Sequence, residues 1–226
     1  MIISVHLPKT AGTSFAAALE RRYGDALLRD YADLPINTPH GERNRSAVRN
    51  CLANADNAFA GVECIHGHFL PLKYLLLADG RPDVSFVTWL RNPIDRAVSH
   101  YRFWRKSYDP EHAPPLHRTM MQEGWSLERF CLGAEVRDLY SQFLYGFPLE
   151  YFSFVGITEF YAQDFSWWAR RFLGDAGPPD RLNVADSTAD RDEISPALRA
   201  AIEGHHARDM ELYGRALAWR RERAAG

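Results

Sequence analysis

Four short runs of apolar residues are spread along the chain, and a helical pattern follows each of them. The first run is Ile2–Leu7, and Phe15, Ala18 and Leu19 fall at helical spacing soon after it. Parallel strands need a crossover connection, which a helix usually supplies, so this alternation predicts an α/β fold with a mainly parallel central sheet flanked by helices. In such sheets ligands bind outside the carboxyl ends of the strands.

The predicted strands are Ile2–Leu7, Gly61–His66, Val84–Leu90 and Phe152–Ile157. The predicted helices are Ser14–Tyr23, Arg45–Ala55, Leu72–Ala78, Ile94–Lys106, Leu127–Leu132, Asp138–Tyr145, Glu159–Leu173, Pro196–Glu203 and Ala207–Arg223. Two further segments, Tyr31–Arg45 and Ser107–Thr119, are polar or rich in proline and are predicted to be surface loops. Because no repeat or low-complexity segment interrupts the 226 residues, we expect a single domain.

The composition limits which kinds of molecule this chain is expected to bind. The formal net charge is −2, so no bulk positive charge attracts nucleic acid or a membrane surface. The 3 cysteines are widely spaced and form neither a disulfide framework nor a CxxC metal pair. The first apolar run is too short for a signal peptide, and no apolar stretch is long enough to span a membrane. We therefore expect a cytoplasmic protein that binds no nucleic acid; the oligomeric state stays open.

The segment Pro8–Gly12 joins the first predicted strand to the first predicted helix, and its residues suit an anion. A helix N-terminus presents unpaired N–H groups and a partial positive charge. Lys9 adds a full charge, and three hydroxyl donors lie close by, at Thr10, Thr13 and Ser14. We expect Thr13 or Ser14 to cap the helix and Gly12 to adopt unusual backbone angles.

This loop is not the nucleoside-triphosphate loop G-x-x-x-x-G-K-[ST], in which the lysine follows the glycines. Here Lys9 precedes Gly12. An ordinary turn would leave the same pattern, with Lys9 solvated and Thr13 only capping the helix. The spacing therefore favours an anion site of a different kind without proving one.

The stretch LRNPIDRAVSHYRFW repeats the same arrangement after another predicted strand. Arg91 follows Val84–Leu90, Asn92 is placed to cap the next helix, and Pro93 suits its first turn. Ser99 falls near Arg91 on the helical period, and a guanidinium with a hydroxyl suits a phosphate group. A magnesium-dependent nucleotide enzyme would have an aspartate at such a place. The alternative is that Arg91 forms a structural ion pair.

Taken with HLPKTAGTS and IHGHF, this stretch resembles the sulfotransferase superfamily and is similar to its carbohydrate branch, typified by heparan and uronyl 2-O-sulfotransferases. Weaker similarity in FVGITEFYAQDFSWWARRFLG, RLNVADS and RDMELYGRAL extends the resemblance over most of the chain. It implies a P-loop-like α/β sulfotransferase fold and 3′-phosphoadenosine 5′-phosphosulfate (PAPS) as sulfuryl donor, with adenosine 3′,5′-bisphosphate (PAP) as product.

The resemblance also assigns roles to residues of this chain. It implies that Arg91 and Ser99 hold the 3′-phosphate and that Thr158 lies near the adenine. The residues implied for the 5′-phosphosulfate are Lys9, Thr10, Ala11, Gly12, Thr13 and Ser14.

His66 and His68 end a predicted strand and, being two residues apart, are expected to point to the same side. A histidine is suited to take a proton from a hydroxyl group near neutral pH. The resemblance implies a catalytic pair in which the second histidine is the base and the first assists. Two alternatives stay open: a zinc site with Cys64, for which no fourth ligand is evident, and a buried structural pair. His205 and His206 are expected on the surface.

Together with the resemblance, these residues predict an in-line sulfuryl transfer without a metal ion. His68 would take the proton of the acceptor hydroxyl, and Lys9 would stabilise charge on the leaving oxygen. The resemblance implies a carbohydrate acceptor, and the alternation of aromatic and basic residues after Ser99 suits a sugar chain; the candidate substrate-binding residues are Arg102, Trp104 and Arg105. A small alcohol, a phenol or a lipid-linked sugar stays open as an alternative acceptor. The aromatic rings could equally belong to the core and the charges to a solvated helix face.

Two other functions fit the same sequence. One is an ATP- and magnesium-dependent small-molecule kinase, and the other is a non-catalytic protein of the same fold that binds a nucleotide or a glycan. The lysine-before-glycine order and Arg91 argue against the kinase. The intact His-Gly-His sequence argues mildly against the non-catalytic protein.

Overall fold

In the computed structural model, five parallel strands form one sheet in the order β2-β3-β1-β4-β5. The structure describes residues 1–33, 36, 38–53, 59–78, 81–174 and 194–225. The strands are β1 (Ile2–Val5), β2 (Leu27–Asp30), β3 (Cys64–Gly67), β4 (Ser85–Leu90) and β5 (Phe152–Ile157). The predicted α/β class with a parallel sheet is confirmed.

Helices connect the strands and cover the sheet. They are α1 (Gly12–Tyr23), α2 (His40–Ala53), α3 (Pro71–Leu77), α4 (Pro93–Lys106), α5 (Pro115–Gln122), α6 (Leu127–Cys131), α7 (Leu139–Phe143), α8 (Tyr161–Leu173), α9 (Pro196–His205) and α10 (Ala207–Ala225). None of the helices in the described ranges is long and apolar enough to cross a membrane.

Side chains of successive strand residues enter two different core clusters, as the two-residue period of a strand requires. Ile2 packs with Phe15 of α1 and Trp168 of α8 on one face, whereas Ile3 packs with Leu139 of α7 and Ala216 of α10 on the other. A third cluster lies among α4, α5, α6 and α9. Both faces of the sheet are therefore covered, which is the usual condition for parallel strands.

The strand order creates a crevice between β1 and β4. These strands are neighbours, but the chain leaves β1 towards β2 on one side and leaves β4 towards β5 on the other. A doubly wound sheet binds its ligands at such a switch point, outside the carboxyl ends of the strands. The loops that follow β1 and β4 are the two that the sequence predicted to bind anions.

Three elements differ from the prediction. Strand β2, LLRD, was missed because it is short, contains no β-branched residue and lies at the sheet edge. Helix α5 lies partly in the predicted loop Ser107–Thr119, where Pro115 occupies the first helical turn instead of breaking a helix. Helix α2 begins at His40, inside the other predicted loop. The end of the predicted helix Arg45–Ala55 and the motif RLNVADS lie outside the described residues.

Candidate active site

The loop after β1 has two residues in the left-handed backbone region, Lys9 with φ 65° and Ala11 with φ 62°. Such angles are uncommon for residues other than glycine and persist where the surrounding structure enforces them. A left-handed residue directly before a helix turns neighbouring N–H groups to one side, which makes a concavity for an anion. The loop backbone itself thus favours anion binding.

Two expectations about the start of α1 are wrong. Its N-cap is Ala11, which has no capping side chain, and not Thr13 or Ser14. Gly12 does not adopt a positive φ. Glycine is needed there for space, because a Cβ atom on Gly12 would lie 1.7 Å from Nε2 of His6.

The three hydroxyl groups of the loop differ in what they contact. Thr10 is buried, and its Oγ1 donates a hydrogen bond of 2.8 Å to the carbonyl oxygen of Leu7. Ser14 is buried in the first turn of α1, whereas Thr13 is exposed. Thr10 therefore braces the loop, and Thr13 is the hydroxyl open to solvent.

Lys9 follows β1 and Arg91 follows β4, so the two cations share the edge between these neighbouring strands. Burial lowers the pKa of Lys9, and the positive charge of Arg91 lowers it further. The Lys9 ammonium lies 3.8 Å from the ring centre of Phe103 on α4. Within the described part of the chain, neither cation forms an ion pair with a carboxylate. Two like charges are thus held together without a counter-ion from the protein.

Hydrogen bonds fix the backbone around Arg91. Its N–H donates to the hydroxyl oxygen of Tyr140 (3.0 Å), and that hydroxyl donates to the Arg91 carbonyl oxygen (2.7 Å). The predicted cap is confirmed: Oδ1 of Asn92 accepts hydrogen bonds from the N–H groups of Ile94 (3.0 Å) and Asp95 (3.4 Å). Pro93 begins α4, as expected.

Thr158 lies beside this loop because Leu90 and Ile157 are paired in the sheet. Its Oγ1 is buried and, among the described residues, has no hydrogen-bond partner. The N–H of Asn92 donates to Oε1 of Glu159 (2.7 Å), which ties the two loops together. Ser99 is half-buried on α4. The edge of the sheet therefore brings Arg91 and Thr158 together, with one unsatisfied hydroxyl.

His66 is part of β3 and only 1% exposed. Its Nδ1 is 2.8 Å from Oγ of Ser4, while its Nε2 is buried and finds no partner among the described residues. Burial lowers the pKa of His66 to about 3, with smaller effects from His68 and Arg29. His66 is therefore neutral at physiological pH and poorly placed to meet a substrate.

His68 follows β3 and is half-buried. Its Nδ1 lies 2.5 Å from the carbonyl oxygen of His6; because a carbonyl only accepts, Nδ1 carries the proton and donates it. The neutral ring then keeps its lone pair on Nε2. Burial lowers the pKa of His68, and this hydrogen bond opposes the effect. Of the two histidines, His68 thus has the more suitable state for a base.

The sequence analysis missed His6, which contacts both predicted histidines. Its ring centre lies 5.1 Å from that of His66 and 4.3 Å from that of His68. Burial lowers the pKa of His6 well below 6.5, with further lowering from His68, His66 and Lys9. The register Val5↔Gly67 places His6 opposite His68, but the sequence does not reveal which strands are neighbours.

Among its described residues, the structure offers no set of ligands for the alternative zinc site. Cys64 is buried in the core cluster that contains Phe15, on the α1 side of the sheet. No group of three histidine, cysteine or acidic residues that could hold a metal ion occurs in the described ranges. In the described part of the chain, the His6 ring instead stacks on His66 and lies tilted at 30° against His68.

The expectation that His206 lies on the surface is wrong. It is 0% exposed: Nε2 donates to the Cys131 carbonyl oxygen (2.9 Å), and Nδ1 accepts from the Asp138 N–H (3.1 Å). Burial lowers the pKa of His206 to about 4. His206 joins α9 and α10 to the α6–α7 region, and His205 is half-buried beside it.

The candidate acceptor residues on α4 divide into two groups. Trp104 is buried and stacks on His117 at 4.8 Å between ring centres, which favours the packing role that the sequence left open. Arg105 is exposed, with its guanidinium 5.7 Å from the Tyr101 ring, and Arg102 is half-buried. Phe103 is 48% exposed and contacts Lys9, so it is the aromatic residue of this helix closest to the candidate site.

No family model and no curated protein match this sequence. Among solved structures, a sulfotransferase from Alicyclobacillus acidocaldarius is 19% identical, with a TM-score of 0.49 over 96% of this chain and 98% of that one. The mouse sulfotransferase SULT7A1, solved in complex with PAP, is 15% identical, with a TM-score of 0.38 over 90% of this chain and 62% of that one. Both TM-scores lie below 0.5, so neither similarity decides what this chain binds.

Proposed function

We propose that this chain transfers a sulfuryl group from PAPS to a hydroxyl group of an acceptor. The observation that carries the proposal is the approach of Lys9 to Arg91, without a protein counter-ion in the described ranges, at the switch point of the sheet. His68 lies next to this pair, since His6 contacts its ring and also feels the charge of Lys9. Two cations and a neutral base thus lie at the same carboxyl edge of the sheet.

The chemistry of these groups fits a ligand with two anionic ends. Lys9, with the left-handed loop and the N-terminus of α1, would hold the 5′-phosphosulfate, because full and partial positive charges meet there. Arg91 would hold the 3′-phosphate, for which a planar guanidinium is well suited, with Ser99 assisting from α4. The unsatisfied Oγ1 of Thr158 would face the adenine. A bound anion would also relieve the repulsion between Lys9 and Arg91.

When bound, PAPS supplies the sulfuryl group and a stable bisphosphate leaving group. Nε2 of His68 would accept the proton of the acceptor hydroxyl; a positioned general base typically contributes about 10²–10⁴-fold to the rate. Lys9 would place positive charge where the leaving oxygen becomes negative, and one such preorganised group is typically worth about 10²–10³ in kcat. His66 would assist indirectly, since its Nδ1 lies 2.8 Å from Oγ of Ser4 in the neighbouring strand β1.

We also propose a carbohydrate as the acceptor, which the resemblance implies. Tyr31 and Phe103 are 40% and 48% exposed, and they contact His68 and Lys9 respectively. Exposed aromatic rings beside the proposed base and beside Lys9 suit the apolar faces of a sugar ring. Arg102 and Arg105 would lie further along α4, where they would suit an acidic sugar.

Calorimetry with PAP in the absence of metal ions, and with ATP and Mg²⁺ in parallel, tests the proposal. PAP should bind, and Arg91→Ala should weaken binding about 10- to 100-fold, since a charged hydrogen bond is worth roughly 1.5–3 kcal/mol. Arg208→Ala, at an exposed position on α10, is the matched control and should leave binding unchanged.

A preference for ATP with Mg²⁺, or unchanged PAP binding in Arg91→Ala, would contradict the proposal. PAP binding without sulfuryl transfer to any hydroxyl acceptor would instead indicate a non-catalytic binding protein. Transfer to simple phenols or alcohols, but to no sugar, would leave the sulfuryl transfer intact and remove the carbohydrate acceptor.

A further inference from the structure

The His6 ring fills the space between the start of α1 and the two histidines of the candidate site. On one side it packs against the Cα of Gly12, where even a Cβ atom would collide with its Nε2. On the other side it stacks on His66 at an interplanar angle of 17° and lies at 30° to His68. The ring therefore contacts both the anion-binding loop and the proposed base.

We infer that His6 is a positioning residue, whose ring holds the imidazole plane of His68 and links it to the N-terminus of α1. The catalytic meaning of this inference rests on the proposed function. The physical claim, that the His6 ring fixes the orientation of the His68 imidazole, does not.

The hydrogen bond from Nδ1 fixes one point of the His68 ring but leaves its plane to packing. Three rings form the walls around it: His6, Tyr31 at 5.0 Å and Phe143 at 5.8 Å between ring centres. The rings of Tyr31 and Phe143 stand nearly perpendicular to His68, at 85° and 79°. Only His6 among these three covers a face of the imidazole at a low angle.

On the α1 side, the described residue that packs against the His6 ring is Gly12, which offers no side chain to replace it. Gly12 has no side chain, so the loop would face a void next to His68. The carbonyl that accepts the Nδ1 hydrogen bond would remain, because the His6 N–H is fixed to the Gly67 carbonyl oxygen at 2.8 Å. Removing the His6 ring would therefore abolish its packing against His68 but keep the acceptor of the backbone hydrogen bond.

Several titratable groups face His68 from the elements around it. They are His6 after β1, Tyr31 after β2, His66 in β3 and His100 on α4, and Lys9 lies beside His6. Burial is the main cause that lowers the pKa of His68. Water that enters the void left by the His6 ring would weaken this effect and raise the pKa towards the ordinary value of 6.5.

NMR of the imidazole nitrogens tests the inference without an acceptor or a cofactor. The wild-type spectrum should show His68 with its proton on Nδ1 and a pKa below 6.5, assigned by comparison with His68→Gln. In His6→Ala the pKa should rise. Because the ring plane is no longer held, the Nδ1 hydrogen bond to the retained carbonyl should form only part of the time, so both tautomers should appear. In His6→Phe, which retains a flat ring, both properties should stay close to wild type.

Gly12→Ala provides a second test that leaves His6 in place. Its methyl group should displace the His6 ring and change the His68 signals as His6→Ala does. In the double variant there is no ring to displace, so the effects should be non-additive, with the His68 signals matching those of His6→Ala alone. Unchanged His68 signals in both single variants would overturn the inference, as would additive effects.

PAP titration of the wild-type protein separates the two proposals. If PAP does not bind, the proposed function fails, but the NMR result still decides the role of His6. If PAP binds and His6→Ala leaves the His68 pKa and tautomer unchanged, only the inference about His6 fails. Should His6→Ala not fold, His6→Phe and Gly12→Ala still give the decisive comparison.

Discussion

Lys9 and Lys73 both lie near the carboxyl edge of the sheet, but their surroundings are opposite. Lys73, on α3, is buried, and its ammonium contacts Asp30 at the end of β2 and lies 3.7 Å from Asp33. Tyr74 donates a further hydrogen bond of 2.7 Å to Asp30. Lys9 faces Arg91 and the ring of Phe103 instead.

The comparison separates a cation that completes the fold from one for which we propose a ligand. The charge of Lys73 is neutralised by carboxylates of the chain, and Asp33 also accepts the Leu70 N–H at 2.8 Å. Lys9 has a lowered pKa and a like-charged neighbour, so its environment costs stability in the free protein. Positions that trade stability for function are typical of binding and catalytic sites.

The largest effect on stability is expected for Lys73→Met. This change leaves the buried carboxylates of Asp30 and Asp33 without their counter-ion, which typically costs about 3–5 kcal/mol in the free energy of unfolding. Denaturant titration measures it. Lys9→Met is the matched variant at the candidate active site. It should leave the free energy of unfolding unchanged or raise it. Equal destabilisation by both changes would remove the distinction between the two lysines.

The largest effect on activity is expected for Lys9→Ala. Loss of the charge at the leaving oxygen should reduce kcat for sulfuryl transfer about 10²–10³-fold, or roughly 2.7–4 kcal/mol in transition-state stabilisation. The melting temperature should not fall. Lys106→Ala removes an exposed lysine from the end of α4 and serves as control. Wild-type kcat in Lys9→Ala would exclude the proposed role of Lys9.

Much of the fold could be predicted because its signals are local. Each apolar run and the helix after it are neighbours in sequence, and so are the loop residues around Lys9 and Arg91. Asn92 and Pro93 capped and began α4 as predicted, since capping depends on residues within one turn. Strand β2 lacked such a signal, because LLRD shows neither β-branched residues nor alternation.

The rest of the site depends on strand order and register, which local patterns do not encode. His6 meets His68, 62 positions away, only because β1 and β3 are neighbours in a fixed register. Asp30 and Asp33, the partners of Lys73, are likewise 43 and 40 positions away in sequence. This buried group of ion pairs was therefore not predicted. The need for glycine at position 12 also depends on tertiary packing, because the His6 ring lies where a Cβ atom would be.

The smallest expected effect is a fraction of a proton taken up when PAP binds. The pKa of Lys9 is lowered from its ordinary value of 10.5 by burial and by Arg91, and a bound anion would raise it again. Between the lowered and the raised pKa, free protein has partly lost the proton that the complex retains. Binding should therefore take up protons in this alkaline range, and PAP affinity should fall as pH rises through the lowered pKa.

Calorimetry at several alkaline pH values below 10.5, each in two buffers of different ionisation enthalpy, measures this uptake. The phosphates of PAP do not contribute there, because their second pKa is about 6. Lys9→Met should abolish the uptake, whereas Arg208→Ala should leave it unchanged. Undiminished uptake in Lys9→Met would assign the proton to another group and place the anion away from Lys9.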